Sequence, residues 1–269
     1  MKTKKHSTNR ILSLVLALVM VVCMLPMNML TVSAATTTEA YDGIPVTPTK
    51  ITSSNYLQFG LTDSNYSDYD GWYAIRNSKE LYGFANLVND GNRYISAVLL
   101  DDIVINETVS ESGAAYSWIP IGYNPNISFM GNFDGNGHSI SGLYCKYETS
   151  PYIGLFGSMG NAQTTNSTSI KNVVLKKSYI CGSNHVGGIL GASIGYGALV
   201  SNCVVSQDVT VAKSVEYAMP YVGGIVGGFG GLNDSLLNKF STSCTVSNCV
   251  NLGTVQSLVA DFKDSNSYL

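Results

Sequence analysis

Charge is scarce in this chain, and what there is leans one way. Charged side chains make up 12% of the 269 residues. Four of the fifteen basic residues, Lys2, Lys4, Lys5 and Arg10, precede Ala35, whereas all eighteen acidic residues follow it. Beyond position 34 eleven bases therefore face eighteen acids, a formal charge of −7. Phosphate backbones and anionic bilayers are held by clustered Lys and Arg, so nucleic acid and acidic membrane surfaces are poor candidate partners. Cysteine is also thin. Apart from Cys23 there are Cys145, Cys181, Cys203, Cys244 and Cys249, an odd number in a chain too long to need a disulfide framework. None has the paired spacing of a zinc site. They read as buried thiols acting as small hydrophobes, with a Cys244–Cys249 bridge left open although it would straddle an apparent strand.

Long apolar runs are missing after residue 34, so no integral membrane span is expected in the mature chain. The one apolar stretch, 11–25, follows the basic cluster, breaks at Pro26 and leads to Val32-Ser33-Ala34 before Ala35. That is the pattern of a secretory signal peptide over 1–34, and it predicts a secreted or cell-surface protein. Cys23 follows Val21-Val22 and reads as part of the apolar region, not as a lipoprotein cysteine.

Glycine is abundant, 27 residues, and it recurs in register. Ile153-Gly154-Leu155-Phe156-Gly157, Gly187-Gly188-Ile189-Leu190-Gly191 and Gly223-Gly224-Ile225-Val226-Gly227 share a Gly-apolar-apolar-Gly box, from Gly154 to Gly188 to Gly224. A period in this range marks a repeat architecture. Each box is followed by an asparagine strand, Ile170-Lys171-Asn172-Val173, Val200-Ser201-Asn202-Cys203 and Val246-Ser247-Asn248-Cys249. Tyr179, Val209 and Val255 then stand seven positions past the asparagines. Three strand-like pieces per unit predict an all-β, single-stranded parallel β-helix. In it the box residues Gly154, Gly157, Gly188, Gly191, Gly224 and Gly227 turn corners, and inward Asn172, Asn202 and Asn248 form a ladder. The longer gap in the last unit predicts an insertion with a short helix around 232–243.

Ahead of the repeats, 35–70 is a polar Thr-, Ser- and Tyr-rich leader with little periodicity, expected to pack loosely. In 71–92, Ser78 reads as an N-cap, Leu81, Phe84, Ala85 and Val88 form one apolar stripe, and Gly91 is the stop. An amphipathic helix there is predicted to cap the first coil of the 93–257 repeats, shielding its apolar end and strand edges. The tail, 258–269, shows no capping pattern, and an incomplete C-terminus or a partnered last coil is expected.

Ser78-Lys79-Glu80-Leu81 with Phe84-Ala85 and Leu87-Val88-Asn89-Asp90-Gly91, then Trp118-Ile119-Pro120-Ile121-Gly122, Phe133-Asp134-Gly135-Asn136-Gly137-His138 and Gly154-Leu155-Phe156-Gly157, together resemble the GLUG-motif bacterial surface proteins. The resemblance covers about 72–256, although the later boxes replace Leu-Phe by Ile-Leu and Ile-Val. It implies an exported, repeat-built parallel β-helix of cell-surface or secreted bacterial proteins, some of them adhesive, and it supplies no catalytic residues.

Parallel β-helices also carry polysaccharide lyases and glycosidases, whose chemistry needs a pair of acids flanking the scissile bond. Asp101 and Asp102 would face opposite sides of a strand. Asp134 and His138 are the candidates for a catalytic pair, but they lie in a glycine-rich turn that suits them structurally and lacks a local Arg or Lys. Asn132, Asp134 and Asn136 imitate half of a calcium loop, yet Leu143 stands where the closing Glu should be, and Asp68 and Asp70 are similarly incomplete. Gly135 and Gly137 lack the helix of a nucleotide loop. No cofactor or metal is expected, and His185 reads as a surface turn residue. Tyr56, Tyr66, Tyr69, Trp72 and Tyr73 offer flat amphipathic rings for a sugar or protein partner; the plainer reading packs Trp72 and Tyr73 under the helix. The sequence therefore predicts a non-catalytic exported scaffold or adhesin module that binds host, matrix or glycan ligands. The alternative is a carbohydrate-active β-helix enzyme.

Overall fold

The computed structural model describes residues 41–160, 167–195, 197–214, 221–229 and 244–258. The expected signal peptide over 1–34, the expected insertion at 232–243 and the tail past 258 lie outside the described residues. The described residues are dominated by short strands in four sheets, in which the named strands pair in parallel except Thr49–Lys50 with Tyr73–Ile75. The first sheet continues through Ala97–Leu99, Asn132–Asp134, Thr168–Lys171, Ala198–Ser201 and Cys244–Ser247. The second holds Ile103–Val104, Ser139–Ser141, Val174–Lys176, Val204–Val205 and Val250–Asn251. Tyr144–Ile153, Tyr179–Gly187, Thr210–Lys213, Val222–Gly223 and Thr254–Ser257 make the third, and Phe156–Met159, Leu190–Ser193 and Val226–Phe229 the fourth. From Asn132 onward the chain visits them in the same order on every circuit. A unit thus contains four strands, not the three expected, because the residues after each asparagine form a strand of their own.

Register turns the repeat into a core. Phe133, Ile170 and Val200 stack in the first sheet, Ile103, Ile140, Leu175 and Val205 in the second, Cys145, Ile180 and Val211 in the third, and Phe156 and Leu190 in the fourth. All are fully buried and belong to one cluster. The expected seven-residue spacing is not kept: Tyr179 pairs with Thr210 and Thr210 with Thr254, one position past Val209 and one before Val255. The corner between the second and third sheets holds 177–178, 207–209 and 253 in successive circuits, so the turn absorbs the slip while the strands stay paired.

The glycine boxes span the corner from the third sheet to the fourth. There Leu155 N–H donates to Gly188 O (3.2 Å), Gly188 N–H to Gly224 O (3.1 Å) and Ile189 N–H to Ile225 O (3.0 Å), so backbone pairing continues around the bend. A β-carbon on Gly188 would stand 2.3 Å from Gly224 O, closer than non-bonded atoms approach.

Helix α1, Ser78–Asn89, occupies the stretch between the strands Tyr73–Ile75 and Ala97–Leu99. Its N-cap is Asn77, one residue before the position expected. Asn77 Oδ1 accepts from Glu80 N–H (3.0 Å), while Glu80 Oε2 accepts from Arg76 N–H (2.7 Å) and Oε1 pairs with Arg76 Nη2 (2.6 Å). The Glu80 N–H, an orphan donor of the first turn, is thereby satisfied, and the Glu80 carboxylate in return takes the backbone N–H of Arg76, the residue ahead of the cap. The stripe Leu81, Phe84, Ala85 and Val88 is buried, with the Phe84 ring 6.2 Å from Phe129 and 6.1 Å from Phe133. Trp118, fully buried, donates from Nε1 to Leu155 O (3.0 Å) and packs edge-on against Tyr82 of α1.

Gly188→Ala is expected to lower stability by about 1–3 kcal/mol, because two backbones must separate to admit a methyl group. Thermal unfolding followed by far-ultraviolet circular dichroism measures it, and an unshifted midpoint would contradict the corner geometry.

Candidate functional site

Asp134 ends a strand of the first sheet and is 2% exposed. Its Oδ1 accepts from Asn136 N–H and from Asn172 Nδ2, both at 2.8 Å. Its Oδ2 accepts from Tyr69 Oη (3.0 Å) and lies 3.2 Å from Lys171 Nζ. Burial acts to raise its pKa, but the hydrogen bonds from Asn172, the Asn136 backbone and Lys171 outweigh it and hold the carboxyl below its ordinary value. Both oxygens are committed, and none of the four partners is a second acid. Tyr69 is the other side of this arrangement: burial first, then the Asp134 charge, pushes its phenol up to about 12. One carboxylate thereby ties the polar leader to the sheet.

His138 does not face Asp134. Its Nδ1 stands 3.6 Å from Asp102 Oδ1, and that oxygen also accepts from Ser139 N–H (2.7 Å). The two residues expected to form a pair share no partner. The asparagines differ from expectation in direction: Asn172, Asn202 and Asn248 adopt left-handed backbones (φ 57°, 54° and 53°) at the corner into the second sheet, and their side chains lie at the surface. Asn202 Nδ2 donates to Asn172 Oδ1 (3.1 Å), which extends the ladder from Asp134 along the outside of the stack. Asparagine is among the residues that tolerate this conformation best. Gly154, Gly157, Gly188, Gly191, Gly224 and Gly227 occupy the bend from the third sheet to the fourth, packed closely against backbone of neighbouring repeats. His185 is no surface residue. It is 2% exposed, stacked between Tyr152 (5.2 Å) and Tyr221 (4.7 Å), and burial lowers its pKa to about 4.

The leader is ordered from Tyr41 by a tandem ten-residue repeat that apolar periodicity does not reveal. Thr52-Ser53-Ser54-Asn55-Tyr56 and Thr62-Asp63-Ser64-Asn65-Tyr66 each open a short 3₁₀ turn. In both, the asparagine Oδ1 accepts from the threonine N–H at 2.7 Å. The repetition places Tyr56 and Tyr66 in a stack at 4.4 Å, and Tyr69 meets Trp72 edge-on at 5.3 Å. These four rings are half-buried against Ile51, Phe59, Leu61, Ala74 and Val98 on the outer face of the first sheet. Tyr73 instead turns inward toward Phe84 of α1 (6.2 Å), so the expected packing under the helix holds for Tyr73 and not for Trp72. Cys145, Cys181 and Cys203 are buried, Cys244 and Cys249 half-buried, and all five are free thiols.

Among the described residues no group of three or more His, Cys, Asp or Glu side chains could hold a metal ion, and no helix is long and apolar enough to cross a membrane. No family profile matches the chain. It is 28% identical over 159 residues to Halomucin of Haloquadratum walsbyi, covering 59% of this chain and 2% of that protein. It is 30% identical over 130 residues to a protein of Evansella cellulosilytica named "Putative Gly-rich membrane protein", covering 48% of this chain and 13% of that one. The chain therefore spans a small fraction of the length of either relative. Among solved structures, one titled as a "putative immunoglobulin A1 protease" from Bacteroides ovatus superposes with a TM-score of 0.43 at 15% identity, over 73% of this chain and 69% of the other.

Asp134→Asn is expected to cost about 2 kcal/mol at neutral pH, the worth of hydrogen bonds to a buried charge. Because the folded pKa lies below the ordinary value of 3.8, the carboxylate's contribution is full above that value and is lost as pH falls through the folded pKa. The stability gap between wild type and variant should therefore close in acid; a gap constant from pH 7 to pH 3, measured by urea unfolding, would contradict this.

Proposed function

We propose that this chain is an exported surface protein whose four sheets close into a single-stranded parallel β-helix of the GLUG type, capped at its start by α1, and that it serves as a non-catalytic binding scaffold. The observation that carries the reading is the division of labour between acids and aromatics. Asp134 is consumed by structural bonds and His138 by Asp102, whereas Tyr56, Tyr66, Tyr69 and Trp72 form a half-exposed shelf on the outer face of the first sheet. Flat rings with polar rims suit a host or matrix protein or a glycan. Export rests on the signal-peptide pattern of 1–34, and the name of the Evansella cellulosilytica relative, a Gly-rich membrane protein, agrees with it. In this reading the polar leader, from Tyr41 on, supplies the shelf, 71–92 the cap and the described strands within 93–257 the stacked coils.

Residues 35–269, immobilised and challenged with mucin, matrix proteins and a glycan array, should retain at least one of them, and Tyr66→Ala should weaken retention about tenfold while leaving the thermal midpoint within a few degrees. No retention on any surface would refute the adhesive role. Release of reducing or unsaturated sugars that Asp134→Asn abolishes would replace it with the enzyme.

A further inference from the structure

All four sheets run out on the same circuit. Cys244–Ser247 is the outermost strand of the first sheet, Val250–Asn251 of the second, Thr254–Ser257 of the third and Val226–Phe229 of the fourth, and no other described strand pairs with their outer edges. Register shows what this does to the core. Val246 stands on Val200 and Val255 on Val211. Val200 and Val211 are 0% exposed, whereas Val246 and Val255 are 43% and 44% exposed. Phe229 and Leu252 of the same circuit are exposed too. Apolar side chains that are buried one circuit earlier therefore reach the surface here, beside an open strand edge from each sheet, and contiguous apolar surface of this kind marks an interaction site.

Exposed edges are ordinarily protected by Lys, by Pro or by a covering element. Residues 221–229 and 244–258 contain no Asp, Glu, Lys, Arg, His or Pro. The other limit of the first sheet is different: its outermost strand, Thr49–Lys50, carries a lysine, and α1 lies over the apolar residues of the early strands, with Phe84 against Phe129 and Phe133. Charge then selects the occupant. A basic or an acidic partner would find nothing on an uncharged face to pair with. A face that meets its own copy about a two-fold axis sets residues beside their equivalents, so any charge near the axis would meet its like. In a chain that carries −7 beyond residue 34, this face is free of that repulsion.

We propose that two copies of this chain pair through the circuit of 221–229 and 244–257, edge to edge about a two-fold axis, with Phe229, Val246, Leu252 and Val255 of each covered by the other. Strands that meet in this way run antiparallel and extend the backbone hydrogen bonding from one copy into the next. With α1 over the early strands there is no equivalent opening to receive a third copy, so association stops at two. The proposal rests on the reading of the four sheets as one stacked coil and not on any role of the aromatic shelf.

Sedimentation equilibrium of residues 35–269 should show monomer and dimer with a dissociation constant in about the micromolar range. Small-angle X-ray scattering should give the dimer about twice the longest dimension of the monomer at an unchanged cross-section. Val255→Lys should weaken pairing about tenfold or more, and Val250→Lys, at an exposed edge position that tolerates lysine, should do the same and keeps the test valid if the first variant fails to fold. Ile119→Lys, exposed outside this circuit, should leave pairing unchanged. The pairing is refuted if the chain stays monomeric up to about 1 mM, if both lysine variants dimerise as wild type does, or if the dimer is wider and not longer. Amides of 244–257 protected from hydrogen exchange in such a monomer would assign the cover to the chain's own 230–243 or 259–269. A monomer that scatters as a rod overturns the pairing and leaves the stacked coil standing, whereas one that does not removes the coil as well.

Discussion

Parallel strands of successive circuits must lie about 4.8 Å apart to hydrogen-bond, and in this molecule that spacing is kept through the bends as well as along the strands. The corner at Gly154, Gly188 and Gly224 is where the constraint bites hardest. Carbonyl and amide of adjacent circuits pair there with no room for a β-carbon. Once the bend holds that spacing, Phe156 must stack on Leu190, Ile140 on Leu175 and Ile180 on Val211, because register leaves each inward side chain only its equivalent as neighbour. One continuous apolar core follows from one backbone separation.

The opposite corner solves a different problem. Its residues must turn with positive φ on successive circuits, and asparagine does so while bonding to its equivalent on the neighbouring circuit. Asp134 begins that outer ladder and recruits Tyr69, so the same carboxylate that supports the bend also docks the aromatic leader. A residue whose composition suggested chemistry is thereby explained by architecture. Variation between circuits is pushed into turns and excursions, such as 207–209 and 107–115, where added length changes the surface without disturbing the core.

Much of this was legible in advance. The glycine boxes, the asparagines and the stripe Leu81, Phe84, Ala85 and Val88 are local patterns with a local physical meaning, and one chain suffices to see them. The slip at Val209 was not legible, because only pairing with Tyr179 and Thr254 shows that the turn before it is longer. Nor was the burial of His185 between Tyr152 and Tyr221, three residues far apart in sequence. The ten-residue repeat at Thr52 and Thr62 is written in the sequence but is too short and too polar to show as apolar periodicity.

The sequence by itself determined the parallel-strand class, the positions of the bends and the helix, since these depend on residue type and spacing. Tertiary structure decided direction and company: that the asparagines face out, that Asp134 is spent on four partners, that His138 meets Asp102, and that His185 is buried beside Tyr152 and Tyr221. The reason is geometric. Spacing along a chain fixes which face of a strand a residue takes, but only the stacking of circuits fixes what stands opposite it.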